Sequence, residues 1–476
     1  MTTNGLSLAG TPAASPLGYF SWTSGQLGRD PYYILVVIYI FFPYFSSVVV
    51  GDPVYGQTLI GYLNAASGAF LALTVPFLGA IADKHGRRKP WIAGTVSFMA
   101  AGAVLLWFIK PNADPATLWW GFGLLLLINI AFAYSEVFHN AMLPAITPSD
   151  RAGLVSGVAF ALGNLGGLSL MIFVLYAFAL PGVQDWQFLP DAPWWGLDQS
   201  QHEQDRIVGP IAGIWMLLFT LPLLAFTPDT PRSGLTMAAA ARSGLLDVFH
   251  TISQLKHYAN IARYLLARML FNDGMVGVLV FGGVYAAGTF SWDTISLLIF
   301  GLCTSVSAMI GAYLGGRLDD HLGSLLTLKV SVLMTCLILL ALVSIQKDQI
   351  GFFWQVDTAP IWAFPYFSTL AEVVYFATNQ VFALFFVTAL SASRTLMAKI
   401  CPPEKATQFF GLYGLSGSVT AFLAPLLVAT TTQWFDSQRA GFASLVVLII
   451  IGGLMLFMVS ETRATAAPER NQSSAS

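Results

Sequence analysis

Long apolar runs with almost no charge recur along the whole chain, and this recurrence limits the fold more than any other feature of the sequence. Crossing the hydrocarbon core of a bilayer, roughly 30 Å, takes about 20 helical residues at 1.5 Å rise each. Twelve runs reach that length, near 31–50, 57–81, 91–109, 117–143, 153–180, 207–226, 264–287, 294–315, 325–346, 361–388, 408–432 and 438–459. Hydrocarbon satisfies no backbone N–H or C=O, so such runs must bond internally as helices. A β-barrel would need alternating strands of about ten residues, and these runs are too long and too uniformly apolar. The sequence predicts an all-α membrane protein with twelve transmembrane helices.

Composition excludes the other broad classes. Of 476 residues, 56% are hydrophobic and 10% charged, and the mean hydropathy is +0.69. A soluble chain carries about 25% charged residues, so this one cannot clothe a water-facing surface of its length. The 22 Lys and Arg against 24 Asp and Glu, a net charge of -2, give no basic footprint for nucleic acid. Cys303, Cys336 and Cys401 have no paired spacing, which indicates neither a disulfide framework nor a metal site. The first 30 residues lack the basic and apolar regions of a cleavable signal. A bacterial inner membrane is expected from this, with a vacuolar membrane as the alternative.

Charge placement orients the chain. Eighteen basic residues, Arg29, Arg268 and Arg394 among them, fall on the side of the N-terminal tail and the even-to-odd loops. Lys110, Arg206, Lys347 and Arg439 are left for the other side. The positive-inside rule then predicts both termini in the cytosol. The segment 181–206 reads as an acidic outer loop edged by Trp186, Trp194 and Trp195, with no binding site.

The expected organisation is a cytosolic tail over 1–30, a six-helix bundle over 31–226, a cytosolic linker over 227–262, a second bundle over 263–460 and a tail over 461–476. In the linker Leu245, Phe249, Ile252, Leu255 and Ala259 recur at helical spacing, which predicts an amphipathic helix on the membrane face. The two halves match internally. Gly79, Asp83 and Gly86 share the pattern G-x-x-x-D-x-x-G with Gly316, Asp320 and Gly323, 237 positions later. Asp150, Arg151, Gly157 and Gly163 match Glu404, Lys405, Gly411 and Gly417, with the glycines 254 apart. Ser135-Glu136-Val137 and Ala371-Glu372-Val373 lie 236 apart, so pseudo-equivalent helices each carry an intramembrane glutamate. Internal repeats joined by a central loop are the architecture of alternating-access transporters, whose sites lie between the halves near the midplane.

The segment GAIADKHGRRKPW resembles the loop motif between the second and third helices of the major facilitator superfamily. Within that superfamily the chain resembles the vacuole-effluxer, or autophagy-related amino-acid effluxer, family, through DPYYILVVIYIFFPYF with GDPVYGQ, VFHNAMLPAI, LFNDGMVGVLVFGGVYAAG and QFFGLYGLSGSVTAFLAPLL. These segments span both halves. The second-half loop departs from the motif, having Gly323-Ser324-Leu325 where the first has Gly86-Arg87-Arg88, which predicts a weaker charge network there. The superfamily's sugar and cation symporters share parts of these motifs.

The glycines of the first loop permit a tight reversal, and Asp83 could face a helix N-terminus, where negative charge gains about 0.3–1 kcal/mol. Arg87 and Arg88 would bridge to carboxylates of adjoining helices. The resemblance implies that Asp83 latches the halves in the outward-open state, meeting the eleventh span near Thr407 to Phe410. The plainer reading is that these charges only fix topology.

An ionised carboxylate at mid-membrane costs at least about 2.5–3.5 kcal/mol, so Glu136, Asp273 and Glu372 call for a reason. Glu136, His139 and Asn140 stand at i, i+3 and i+4 and share one helical face. Asn272 and Asp273 follow Arg268, and Glu372 precedes Asn379 and Gln380 by about two turns. Converging on the interface between halves, these residues would line a polar cavity and carry a proton across it. The alternatives are a structural pair of Asp273 with Arg268, inner-face water for Glu136, and plain packing for His139. Glu372, with no nearby base and the deepest expected position, is the first candidate for proton carriage. A lone intramembrane histidine predicts no metal site, and no Walker lysine follows a glycine-rich loop, so neither a cofactor nor nucleotide hydrolysis is expected. Gly163, Gly166 and Gly167, and Gly411, Gly414 and Gly417, read as helix-packing faces.

These features predict a secondary transporter and not an enzyme, moving one small solute on a proton or other ion gradient, as a monomer in the lipid bilayer. The resemblance favours an amino acid. Asp273, Glu136 or Glu372 would hold its ammonium, while no arginine is evident in the cavity for its carboxylate. Sugar, organic-anion or drug transport is the alternative, and a non-transporting receptor the remote one.

Overall fold

In the computed structural model the described residues are 7, 12–85, 87–148, 151–229, 239, 257–401, 409, 412–414, 416–417 and 419–461, with the side chains at 76–77, 79–85, 144, 152–154, 156, 320 and 398 outside the description. The architecture is almost wholly helical, and eleven segments are long and apolar enough to cross a membrane.

The first helix corrects the expected tail. Helix α1, Pro16–Tyr32, begins where Ser15 accepts a hydrogen bond from the Gly18 N–H and Pro16 occupies the first turn, so the boundary expected at 30 moves back to 15. It continues through a π-helical stretch, Tyr33–Tyr39, a break at Ile40, a short helix Phe41–Tyr44 and a second π stretch to Val49. Pro31 explains the first irregularity. It has no N–H to give to the carbonyl of Leu27, and Trp215 Nε1 donates to that carbonyl instead, at 2.9 Å. Hydropathy misplaced the start because Arg29 and Asp30 read as a boundary, whereas both lie inside the span Pro16–Val49.

The remaining first-half helices are α2 (Pro53–His85), α3 (Lys89–Leu105), α4 (Pro115–Ile146), α5 (Ala152–Val174) and α6 (Val208–Phe226). The second half has α7 (Ala259–Phe290), α8 (Thr294–Leu322), α9 (Ser324–Val343), α10 (Leu370–Ile400), α11 (Leu423–Phe435) and α12 (Gln438–Met455). Helix α7 starts at Ala259, four residues before the expected bundle boundary. The linker helix expected within 227–262 lies, apart from its ends and Ala239, outside the described residues, as do Gly86, Thr407, Gly411 and the side chain of Asp83, on which the latch depends. The run expected at 408–432 is described as helical residues 412–414 and 416–417, a turn over 419–422, and α11.

The tenth span needs the largest correction. The apolar stretch from 361 is irregular chain, preceded by a hairpin of β1 (Gln349–Ile350) and β2 (Trp354–Gln355), and α10 begins at Leu370 and runs twelve residues past the expected end. Apolar side chains at Ile361, Trp362 and Phe364 gave this stretch the look of a span while standing exposed.

The chain enters and leaves each half on one face. Ala14 N–H donates to the Ile146 carbonyl and Thr227 Oγ1 to the Gly18 carbonyl, which gathers the start of α1 and the ends of α4 and α6. This is called the terminal face; the opposite one is the far face. At the terminal face the internal repeat takes physical form. Asp229, just after α6, accepts from the Arg88 and Lys89 N–H groups at the start of α3. Glu461, just after α12, accepts from the Ser324 and Leu325 N–H groups at the start of α9. Each carboxylate satisfies helix-terminal donors where the dipole favours negative charge. The second-half loop is not left without a cation. Lys399 reaches in from α10 to Glu461 at 3.1 Å and Asp319 at 3.8 Å, replacing the arginines its sequence lacks.

Candidate functional site

The buried polar cluster of the first half is built on α1. This helix is the most enclosed span, and Arg29 on it is 2% exposed. Its Nη2 lies 3.4 Å from Asp30 Oδ1, and its guanidinium stands 5.4 Å over the Phe132 ring of α4. Tyr33 stacks on the same ring, with centroids 5.1 Å apart. Glu136 is one turn after Phe132, exposed, and within electrostatic reach of Asp30 and Tyr33. The Asp30 carboxylate fits against α5 because residue 163 is glycine, where a Cβ would collide with it. Gly166 and Gly167 likewise admit Leu27, Pro31 and Ile34, as expected of a packing face. Arginine is tolerated at this depth because it is paired and stacked.

The face expected to join Glu136, His139 and Asn140 divides. Glu136 and Asn140 are exposed, whereas His139 turns into the α1 contact. It stacks on Trp22 at 4.2 Å with rings 10° apart, its Nε2 lies 2.9 Å from the Trp22 carbonyl, and Trp22 Nε1 donates to the His139 carbonyl at 2.8 Å. This is the geometry of a packing histidine.

Arg268 and Asp273 do not pair with each other. Arg268 Nη1 donates to the Tyr413 carbonyl (2.8 Å) and to Ser416 Oγ (2.6 Å), with its guanidinium 3.6 Å over the Tyr413 ring. Asp273 Oδ2 accepts from the Ala424 N–H at 2.9 Å, in the first turn of α11. The two α7 side chains thus hold opposite sides of the turn at 419–422, a cation on the carbonyl side and a carboxylate on the amide side, each matching the helix dipole it meets. Asn272 beside them is half-buried.

Glu372 is not deep. It lies in the first turn of α10, where its Oε2 accepts from the Thr369 N–H (2.9 Å) and Thr369 Oγ1 accepts from the Glu372 N–H (3.3 Å), a reciprocal capping box. Its Oε1 accepts from Trp292 Nε1 at 2.8 Å. Two turns on, Asn379 donates to Thr304 Oγ1 (3.0 Å) and Gln380 accepts from Ser307 Oγ (2.9 Å), tying α10 to α8. The Tyr39 ring, from α1's π-helical continuation, meets Phe300 of α8 edge-on, with centroids 6.4 Å apart. In the loop motifs Arg87 is exposed, while Arg88 is buried and donates from Nη1 to the Ala141 carbonyl. Gly316 has open space beside it, and Gly323, at φ 82°, holds the left-handed turn before α9.

Among the described residues, the hydrogen bonds between first-half and second-half helices lie at mid-bundle or at the far face. Gln57, fully buried on α2, donates to Thr432 Oγ1 (2.8 Å) and the Gln438 carbonyl (3.0 Å). Gln438 donates back to the Pro53 carbonyl, and Tyr62 bonds Gln433. On the other side Asp205, 2% exposed, accepts from the Thr294 hydroxyl of the second half and sits 2.8 Å from His202 Nδ1. These groups border a cavity of about 180 Å³ lined by Tyr44, His202, Asp205, Trp292 and Thr294, so the segment 181–206 packs against the second half at its end. The bond to Asp205 holds the His202 imidazole above its usual range.

The profile of the family described as "Vacuole effluxer Atg22 like" matches residues 48–469. The chain is 26% identical over 467 residues to the uncharacterized MFS-type transporter YxiO of Bacillus subtilis (strain 168), covering 94% of this chain and 95% of that one. It is 22% identical to autophagy-related protein 22 of Cryptococcus neoformans, over 52% of this chain and 42% of that protein, so it spans less than half of that fungal relative. Among solved structures, the D-xylose-proton symporter superposes with a TM-score of 0.63 at 14% identity, over 93% of this chain and 97% of that one. A bacterial homolog of the human lysosomal transporter Spinster, inward-facing and unoccupied, gives 0.61 at 15% identity, over 93% and 95%. The fold is that of the major facilitator superfamily.

Proposed function

The chain belongs to the Atg22-like vacuole effluxer family and is an MFS-type transporter of the membrane, and on that premise we propose that it carries an amino acid by alternating access, coupled to protons. The observation that carries the reading is the buried Arg29 and Asp30 pair beside the exposed Glu136, which lies one turn from the Phe132 ring that Arg29 covers. Arg29 neutralises Asp30, which leaves the Glu136 carboxylate as surplus negative charge. Such a group takes a proton or an ammonium, and competition between the two is the simplest way to couple them. The far-face bonds of Gln57 and Asp205 support a state closed on that side. Moving the solute across requires those bonds to break while the terminal face closes. The same surplus charge favours an organic cation as the second reading.

The test is internal pH in proteoliposomes of the purified protein while amino acids, sugars and organic cations are added in turn, with Glu136→Gln and Glu372→Gln alongside. Amino acids should drive proton movement in the parent and in Glu372→Gln, whose side chain caps a helix, but not in Glu136→Gln. Proton movement that survives in Glu136→Gln and is lost in Glu372→Gln would restore the expectation from sequence and defeat this assignment.

A further inference from the structure

The amino-acid reading lacks a partner for the substrate's carboxylate, and the helices supply arginines that the sequence assigned to loops. Arg29, Arg268 and Arg394 all lie within membrane-spanning segments. The first is committed to Asp30 and Phe132, the second to the backbone and Ser416 at the α11 break. Arg394 is different. It is exposed on α10, six residues before the helix ends at Ile400, which places its Cα about 9 Å inside that end. Among the described residues it makes no hydrogen bond or ion pair, and the neighbouring Lys399 already satisfies Asp319 and Glu461. Its guanidinium stands 5.9 Å over the ring of Phe160, which belongs to α5 in the opposite half. The side chain is thus turned toward an exposed ring of the other half instead of a group of its own half. Phe160 is one turn before Gly163, the residue against which the Asp30 carboxylate packs.

Resting on the amino-acid reading, we propose that Arg394 binds the carboxylate of the transported solute while Glu136 holds its ammonium. The guanidinium is a planar fork that matches a carboxylate with two parallel hydrogen bonds. Glu136 belongs to the first half and Arg394 to the second, so a zwitterion bound to both ties the halves together near the terminal face. A ligand shifts a conformational equilibrium only by binding one state better, and a bridge of this kind exists only when α4 and α10 have drawn together. The substrate then supplies the bond that closes the terminal face, and a solute lacking the carboxylate supplies half of it.

Labelled alanine, phenylalanine and lysine, spanning small, aromatic and cationic side chains, are measured for uptake into proteoliposomes of the full chain. Each is competed with its own amide, in which the carboxylate is replaced by a neutral group of the same size. For whichever acid the parent carries, the amide should compete at least tenfold more weakly. Arg394→Gln should raise the KM for the acid tenfold or more, leave the amide's potency unchanged and so erase the difference, while Arg394→Lys should recover part of it. An amide as potent as the acid in the parent overturns the inference without any variant. So does a folded Arg394→Gln, matched to the parent in melting temperature, that still prefers the acid. A parent that carries none of the three acids defeats the amino-acid reading itself, and this inference with it.

Discussion

Replacing Gly61 by leucine should open the far face. Gly61 lies where α2 meets α11, and a Cβ there would stand 2.6 Å from Ala429 Cβ, 2.9 Å from the Pro425 carbonyl oxygen and 3.0 Å from Ala429 Cα. Two of those atoms are backbone, so a side chain cannot be fitted by turning a rotamer; the helices must separate. Overpacking a tight contact costs about 1–3 kcal/mol. That cost falls only on the state in which α2 and α11 touch, so the ratio of closed to open should drop about 5- to 150-fold. A parent open about 1% of the time would become open roughly 5 to 60% of the time. Spin labels at Tyr55→Cys on α2 and Trp434→Cys on α11, both exposed at the far face, would report the separation, with Cys303, Cys336 and Cys401 replaced by serine. Gly94→Leu on α3, where a Cβ has open space, is the control and should leave the distances alone. If Gly61→Leu folds and keeps the parental distance distribution, the α2 and α11 contact is not part of a gate and the reasoning fails.

The break before α11 and the far-face bond of Asp205 to Thr294 give further tests. Asp273→Ala removes the carboxylate that caps Ala424 and should cost about 1–2 kcal/mol, read as a lowered melting temperature in detergent, with Asp273→Asn losing less because its carbonyl can still accept. His202 is held above its usual value near 6.5 by Asp205, chiefly through their hydrogen bond, with Tyr44, Glu203 and Arg206 as its other ionisable neighbours. The proton therefore binds more tightly while the His202 and Asp205 bond is formed, and that bond is at full strength below about 6.5 and weakens as pH rises through the raised value. The Asp205 carboxylate that His202 holds is the one that Thr294 meets across the halves, so the labelled far face should open as pH climbs. His202→Gln should remove that dependence, and Thr294→Val should loosen the face at every pH; a pH response unchanged in His202→Gln would assign the titration elsewhere.

Periodic composition made the helices legible, because hydrocarbon imposes one solution on a long apolar run. It failed where polarity and burial part company. Arg29 and Asp30 looked like the edge of a membrane, yet α1 carries both through its interior because Asp30 fits over Gly163 and Arg29 lies on Phe132. The opposite error befell 361–369, whose apolar and aromatic residues read as a span and form irregular chain, with Trp362 and Phe364 exposed and Tyr366 and Phe367 buried. That one shift of frame moved Glu372 from the centre of the membrane to a helix cap and drew Arg394 from a loop into α10. A signal for the first error was present in the Tyr19 to Tyr33 segment, where aromatics flank a charged pair and Pro31 follows it.

By itself, the sequence determined that the chain is a multi-span helical membrane protein with an internal repeat of the transporter kind, since length and hydropathy of a segment are local properties the solvent enforces. Which polar groups face one another was decided only in three dimensions. Asp229 and Glu461 find their helix N-termini more than 130 residues away, Arg268 and Asp273 divide between two sides of a break instead of pairing, and Asp205 meets Thr294 across the halves. A charge buried in low dielectric must find a partner wherever the packing brings one, and packing of uniformly apolar helices is set by small residues and irregular turns whose pairings no one-dimensional pattern records.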